Sequence, residues 1–441
     1  MKRVHAPAHR LWPARTGGSW RGLTAVAALV ALATPVAGRA QALERSGFVE
    51  VNHFKYFRPA APGQVTQRGQ MNAQLDARFQ VGPHLQLVGA GEMRAQYSDR
   101  ARGRGYVNEA FADLLLGPLD LRVGKQVIAW GTVDVFNPTD NLTPTDFTDP
   151  LDTDDERMGG VAARARLPIG KVQLDAVLLP MFTASRLPTP GSRWYPPLAP
   201  MMPHPLDPGR TVALAYDIPA PRTPATTLDN MQYAARASTT LQGWDLSLSY
   251  FDGWDDLPAT EQRAEFVDDA NVRVTILQQY PRRRAIGGDL ATTLGQYSIR
   301  AEAAYLMPGE LAGPDHFYYA AGVERFFGDP LAAGTTMVLT EWVQQLAPSD
   351  FAPSPFDLNH VFRKTLATRV QHNATTKLRL TAEGIYDFAV RGFYVHPGAS
   401  YQLFEGLRLE GSLDVLGGRD ASFFGGFAHN RRVQTAIRYS F

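Results

Sequence analysis

The sequence predicts an all-β fold: a single transmembrane antiparallel β-barrel of about 18 strands, between 16 and 18, preceded by a cleaved signal peptide. Three observations carry this reading. A basic, then apolar leader occupies residues 1–42, period-2 alternation runs through the remainder, and the connections alternate between tight and long. The chain has 441 residues, 44% of them hydrophobic, and no Cys. That composition excludes a disulfide scaffold, thiolate metal sites, Fe–S clusters and cysteine nucleophiles. A mean hydropathy of −0.21, with no second long apolar run, excludes a polytopic helical membrane protein.

The leader holds Lys2, Arg3, Arg10, Arg15, Arg21 and Arg39 and no acid, an apolar stretch from Leu23 to Val36, and an Ala40-Gln41-Ala42 cleavage site. Pro35 and Gly38 end the apolar stretch before it is long enough to span a membrane. The mature chain is therefore expected to start at Leu43, outside the cytoplasm. Without the leader, 38 basic residues face 43 acidic ones. A mildly acidic chain with no basic patch points away from nucleic acid.

Past Leu43, Met71, Ala73, Leu75, Ala77 and Phe79 alternate with Asn72, Gln74, Asp76, Arg78 and Gln80. The same pattern recurs over 172–178, 297–305, 378–384 and 407–415. Strands with one apolar and one polar face, about ten residues long, suit a barrel wall. Tight turns fall near 81–84, 117–118, 168–170, 242–243, 295–296, 328–334, 373–376 and 404–406. Longer links lie at 58–69, 98–106, 132–159, 182–229, 255–283, 307–315, 346–360, 389–391 and 418–430. The even count leaves both chain ends on the tight-turn side, and 43–441 reads as one barrel with long extracellular loops at 132–159 and 182–229. Val272, Val274 and Ile276 would make a nineteenth strand and break that parity. The segment 270–280 is therefore assigned to a loop or to an outward extension of the next strand. The last strand alternates Val433, Thr435, Ile437, Tyr439 and Phe441 with polar residues. Its Tyr439 and Phe441 look like the closing signature that the barrel-assembly machinery reads.

The stretch from Leu119 to Gln126 (LDLRVGKQ), with Ala129-Trp130-Gly131, resembles an uncharacterised proteobacterial family of porin-like outer-membrane proteins. So do Asn137-Pro138-Thr139-Asp140-Asn141, Thr143-Pro144-Thr145-Asp146-Phe147, Asp154-Asp155-Glu156-Arg157, Ser185-Arg186-Leu187-Pro188 and Gly191-Ser192-Arg193-Trp194. More broadly, the chain is similar to 18-strand substrate-specific porins and alginate-export-type channels. The resemblance implies transport and assigns no residue roles. With the leader and the closing strand, it places the expected protein in the outer membrane of a Gram-negative bacterium, in contact with lipid, lipopolysaccharide and a small-molecule solute.

About 18 strands leave a lumen. Turning the polar faces inward puts Arg78, Arg94, Arg122, Arg164, Arg166, Arg300, Glu302, Arg379, Glu383, Arg408 and Glu410 there as constriction candidates. Separated acidic and basic walls would orient polar solutes, whereas adjacent pairs would be salt-bridged filler. The sequence leaves both open. Arg far outnumbers the five Lys of the mature chain, as an Arg ladder for acidic solutes or as compositional bias. Trp130, Trp194, Trp244, Trp254, Tyr250, Tyr305 and Tyr439 fit interfacial girdles or stacking rails.

The loop 132–159 carries Asp134, Asp140, Asp146, Asp149, Asp152, Asp154, Asp155 and Glu156. Three readings stand: a solvated loop, a constriction folded into the lumen, or a site bridging divalent cations or lipopolysaccharide. An EF-hand is disfavoured because Arg157 stands where the tight turn needs Gly. The Pro-rich link 182–229 suggests a lid or plug. None of the eight mature His lies in a catalytic motif, although His396 and Asp387 could approach one another. No enzyme, metal or cofactor is expected. The sequence thus predicts passive diffusion of small hydrophilic or acidic solutes through a loop-constricted lumen. Export of lipid-like or polymeric envelope cargo and a non-conducting structural barrel are the alternatives.

Overall fold

In a computed structural model, residues 43–60, 64–96, 103–152, 157–330, 332–351, 353–354 and 356–441 are described. The expected signal peptide, 1–42, lies outside the described residues. In chain order the strands begin with β1 (Leu43–Tyr56), β2 (Gln67–Val81), β3 (Leu85–Gln96), β4 (Arg104–Leu116), β5 (Leu119–Gln126), β6 (Gly160–Ile169) and β7 (Val172–Leu179). They continue with β8 (Met201–His204), β9 (Asp207–Asp217), β10 (Gln232–Leu241), β11 (Trp244–Trp254), β12 (Ala259–Asp268), β13 (Asn271–Gln279), β14 (Arg282–Leu294) and β15 (Tyr297–Met307). The remainder are β16 (His316–Phe327), β17 (Thr336–Leu346), β18 (Lys364–Asn373), β19 (Leu378–Asp387), β20 (Gly392–Phe404), β21 (Leu407–Gly418) and β22 (Arg432–Ser440).

All except β8, β9, β12 and β13 belong to one 18-stranded antiparallel sheet, closed by pairing of β1 with β22. Closure leaves no edge, so each strand finds backbone partners on both sides. Turns on one side are tight, and at two of them Gly117 (φ 64°) and Gly295 (φ 61°) take the left-handed conformation that hairpin turns need.

Exposure is inverted relative to a soluble sheet. The outward Val51 (45%), Leu248 (65%) and Ile437 (53%) are exposed, while the inward Glu50, Asn52, Glu302 and Arg432 are buried. That is the signature of a wall whose apolar band faces lipid. Toward the long-loop end, however, the inner face turns apolar. Ala162, Val177, Leu179, Phe251, Ala304, Leu306, Tyr318 and Val343 form a core there with Ile128, Trp130, Val133 and Leu142 of the β5–β6 connection. A second cluster joins Trp194, Tyr394 and Leu416 to Phe423, Phe424 and Phe427 around the short helix α1 (Phe423–Gly426).

The segment 270–280 is neither a loop nor an extension of the barrel. It forms β13, which pairs antiparallel with β12 and parallel with β9 in a separate four-stranded sheet completed by β8. Burial of Val212, Val272, Val274 and Ile276 between these strands holds that sheet together. The link 182–229 therefore contains two strands, β8 and β9, of this accessory sheet.

The closing seam admits little extra volume. The Gly47 amide donates to the Phe441 carbonyl at 3.1 Å and the Phe441 amide returns a bond to Gly47 at 3.0 Å. A Cβ on Gly47 would lie 2.3 Å from the Gln74 carbonyl oxygen and 3.0 Å from the Phe441 ring. Gly47→Ala is expected to cost about 1–3 kcal/mol, read as a lower midpoint of the heat-induced gel-mobility shift. An unchanged midpoint would refute the crowding.

Candidate functional site

The connection between β5 and β6, described over 127–152 and 157–159, packs within the barrel. It begins where Glu109 accepts the Val127 amide at 2.8 Å and Thr143 Oγ1 accepts that of Ile128 at 3.1 Å. It then reaches the far wall. The Glu302 carboxylate on β15 accepts the amides of Thr132 and Val133 and the Thr139 hydroxyl, the last two at 2.8 and 2.9 Å. Glu341 on β17 accepts the amides of Asp134 and Val135, both at 2.8 Å. Two inward carboxylates thus satisfy four consecutive amides that a buried loop would otherwise leave bare. Gly131 sits against this clamp at φ 111°, and a Cβ there would be 2.6 Å from Glu302 Oε1.

The acidic side chains tie the same loop to the opposite wall, since β2 and β22 stand across the ring from β15. Asp149 lies 2.6 Å from both Arg68 on β2 and Arg432 on β22. Asp152 meets Arg94 at 3.3 Å, and Asp146 meets Arg104 and, at 3.4 Å, Arg186. Asp134 binds Arg300 at 2.5 Å and Asp140 binds Arg157 at 3.1 Å. Each described acid of this loop therefore has an arginine. Asp154, Asp155 and Glu156 lie outside the described residues. No group of three or more His, Asp or Glu among the described residues is arranged to hold a metal. Burial would raise the Asp149 carboxyl, but Arg432 and Arg68 hold it below the usual range. Burial pushes Asp140 up to about 7, against the pull of Arg157 and the Trp130 amide.

The wall charges stand as adjacent pairs. Arg122 holds Asp113 at 2.6 Å, Arg164 holds Asp175 at 3.0 Å, and Arg166 holds Asp120. Glu383 pairs with Arg369, and Arg408 with Glu410. Arg78 and Arg379 are exposed near the tight-turn end, without an ion-pair partner among the described residues. The open choice between separated walls and adjacent pairs is thus resolved toward pairs.

Several expectations are corrected. His396 meets Asp414 at 2.6 Å, not Asp387, whose carboxylate accepts the Arg363 amide and the Thr365 hydroxyl at 2.9 and 3.0 Å. Trp130 and Trp194 are buried inside, because their loops fold inward, whereas Trp244, Tyr250, Tyr305 and Tyr439 are exposed on the outer face. Trp254 is half-buried and donates to the Asn230 carbonyl at 3.1 Å. Arg68, Arg104 and Glu341 were not singled out from sequence. The available signal is a charge on the inward parity of a strand, clearest for Glu341 between the apolar Leu339 and Val343. Beside the loop lies a cavity of about 1030 Å³, lined on different sides by Phe136, Asp134, Arg369, Glu383, Tyr394 and Phe424.

A family model described as "Protein of unknown function (DUF1302)" matches residues 56–391. No curated protein matches. Among solved structures, one mutant of the Rh. blastica porin is 14% identical, with a TM-score of 0.44, covering 90% of this chain and 100% of its own. A triple mutant of the same porin, from Rhodopseudomonas blastica, is 12% identical with a TM-score of 0.43 and the same coverage.

Because the folded Asp140 carboxyl titrates near 7, above the ordinary value of about 4, the folded state binds the extra proton between those values. Its contribution to stability therefore falls as pH rises from about 4 to 7. Thermal midpoints are expected to decline over that window, and Asp140→Asn to flatten the decline. An equal decline in the variant would refute the assignment.

Proposed function

As a member of the DUF1302 family of proteins of unknown function, to which residues 56–391 assign it, the chain inherits no activity, and we propose that it is an outer-membrane diffusion channel for small water-soluble solutes. The observation that carries this reading is the loop 127–159, clamped to opposite walls and leaving a cavity of about 1030 Å³ at its side. An 18-strand ring leaves a lumen by its geometry, and a loop fastened across that lumen narrows the path a solute would take. The barrel sits in a Gram-negative outer membrane among lipid and lipopolysaccharide. Its assembly machinery reads the terminal strand at Tyr439 and Phe441. No catalytic step is part of this function.

The neutralised wall supports weak charge preference, and the expected preference for acidic solutes loses its support, because the lumen arginines are largely spent on neighbouring carboxylates. Purified protein in a planar bilayer is expected to give discrete conductance steps, with a cation-to-anion permeability ratio of about one. Glu302→Gln combined with Glu341→Gln weakens the clamp on the four amides and is expected to raise the conductance about twofold, or to make it flicker. A folded barrel that stays silent in both forms would sink the channel reading.

A further inference from the structure

The cavity beside the loop lies between the two apolar clusters and touches both. Phe136 and Leu306 reach it from the first, Tyr394, Phe424 and Ile385 from the second, and Phe362 packs against each. Its aromatic rings are held in place. Phe136 lies 4.4 Å from Tyr318, and Tyr394 stacks on Phe424 at 5.9 Å with 14° between the planes.

The charged groups at the same cavity already have partners, most of them in its own wall. Arg369 is paired with Glu383, Arg157 with Asp140, Asp134 with Arg300, and Arg283 with Asp255 at 3.2 Å. The Glu109 carboxylate accepts a loop amide, and Asp256 accepts the Ser185 hydroxyl. His316 Nδ1 lies 3.0 Å from the Pro314 carbonyl oxygen, and burial, with His316 beside it, pushes His360 down to about 3, so His360 adds no charge. Paired ions offer a solute little net field, while exchanging water for aromatic wall is favourable whatever the solute's charge. A site of this volume, walled by polar and apolar groups in about equal measure, suits a small molecule that carries both an apolar body and a polar end.

We propose that this cavity is a binding chamber for water-soluble solutes that combine an apolar ring or alkyl body with one polar end, a proposal that rests on the channel reading and narrows its cargo. Anchored rings supply the affinity, and the ion pairs around them accommodate a polar end of either sign.

The test uses the mature protein in lipid nanodiscs, with empty nanodiscs as reference, and equilibrium dialysis against 2-naphthoate, 2-naphthylmethylammonium, succinate and glucose. Both naphthyl solutes are expected to bind saturably, within about fivefold of each other, while succinate and glucose do not. Phe136→Ser and Phe424→Ala are each expected to weaken naphthyl binding about tenfold. Phe136 is only partly buried on the loop, so its variant serves if Phe424→Ala fails to give a heat-modifiable barrel. Succinate or glucose binding as tightly as naphthoate would overturn the proposal, as would naphthyl binding unchanged in folded variants. Conductance measured alongside separates the two readings. Naphthyl binding without current supports the chamber and removes the channel, and current without naphthyl binding removes the chamber alone.

Discussion

A backbone amide or carbonyl inside a bilayer has no water to bond with, so a sheet that crosses it must close on itself. Here closure is the ladder between β1 and β22, from Phe48 opposite Ser440 to Tyr56 opposite Arg432. The rest of the molecule hangs on that seam. The ring creates an inside, and period-2 alternation then sends apolar side chains to lipid and polar ones to the lumen. The seam also brings Arg68 and Arg432 together on either side of β1, both over the Phe54 ring at 4.2 and 4.7 Å. Asp149 of the inner loop binds both arginines, so the loop is fastened across the junction that closes the barrel.

The loop is held chiefly by carboxylates at one side and by arginines at the other. On β15 and β17 carboxylates receive its amides, and on β2, β3, β4 and β22 arginines receive its carboxylates, with Arg300 of β15 also taking Asp134. Such buried pairs add little net stability over apolar packing, but removing one partner strands a charge. They act chiefly as registration, holding the loop in one place, while Trp130, Val133 and Leu142 supply the apolar burial. The same pairing leaves most of the wall arginines beside a carboxylate.

Much of the barrel was legible in the sequence. Alternation, hairpin glycines and the parity of tight and long connections are local properties, and they yielded the strand count, the closing strand and the inward placement of residues such as Arg122, Arg300 and Glu302. The accessory sheet was not legible, because β13 pairs in parallel with β9 across more than fifty residues, a contact with no local signature. The loop was only half legible. Its acids were visible, but their fate was not, since Asp149 finds Arg68 at a separation of 81 residues and Arg432 at 283.

The amino-acid sequence by itself determined that the chain is a β-barrel and which way its barrel strands face. A two-residue period and a turn depend only on neighbours in the chain. Tertiary structure alone decided that the acidic loop folds inward, that its described acids pair with arginines of the wall and of neighbouring loops, that Trp130 and Trp194 are interior, and that a cavity lined in part by aromatic rings remains beside it. Whether a charge is free or neutralised depends on what stands within a few ångströms in space, and in a closed ring those neighbours come from the far ends of the chain.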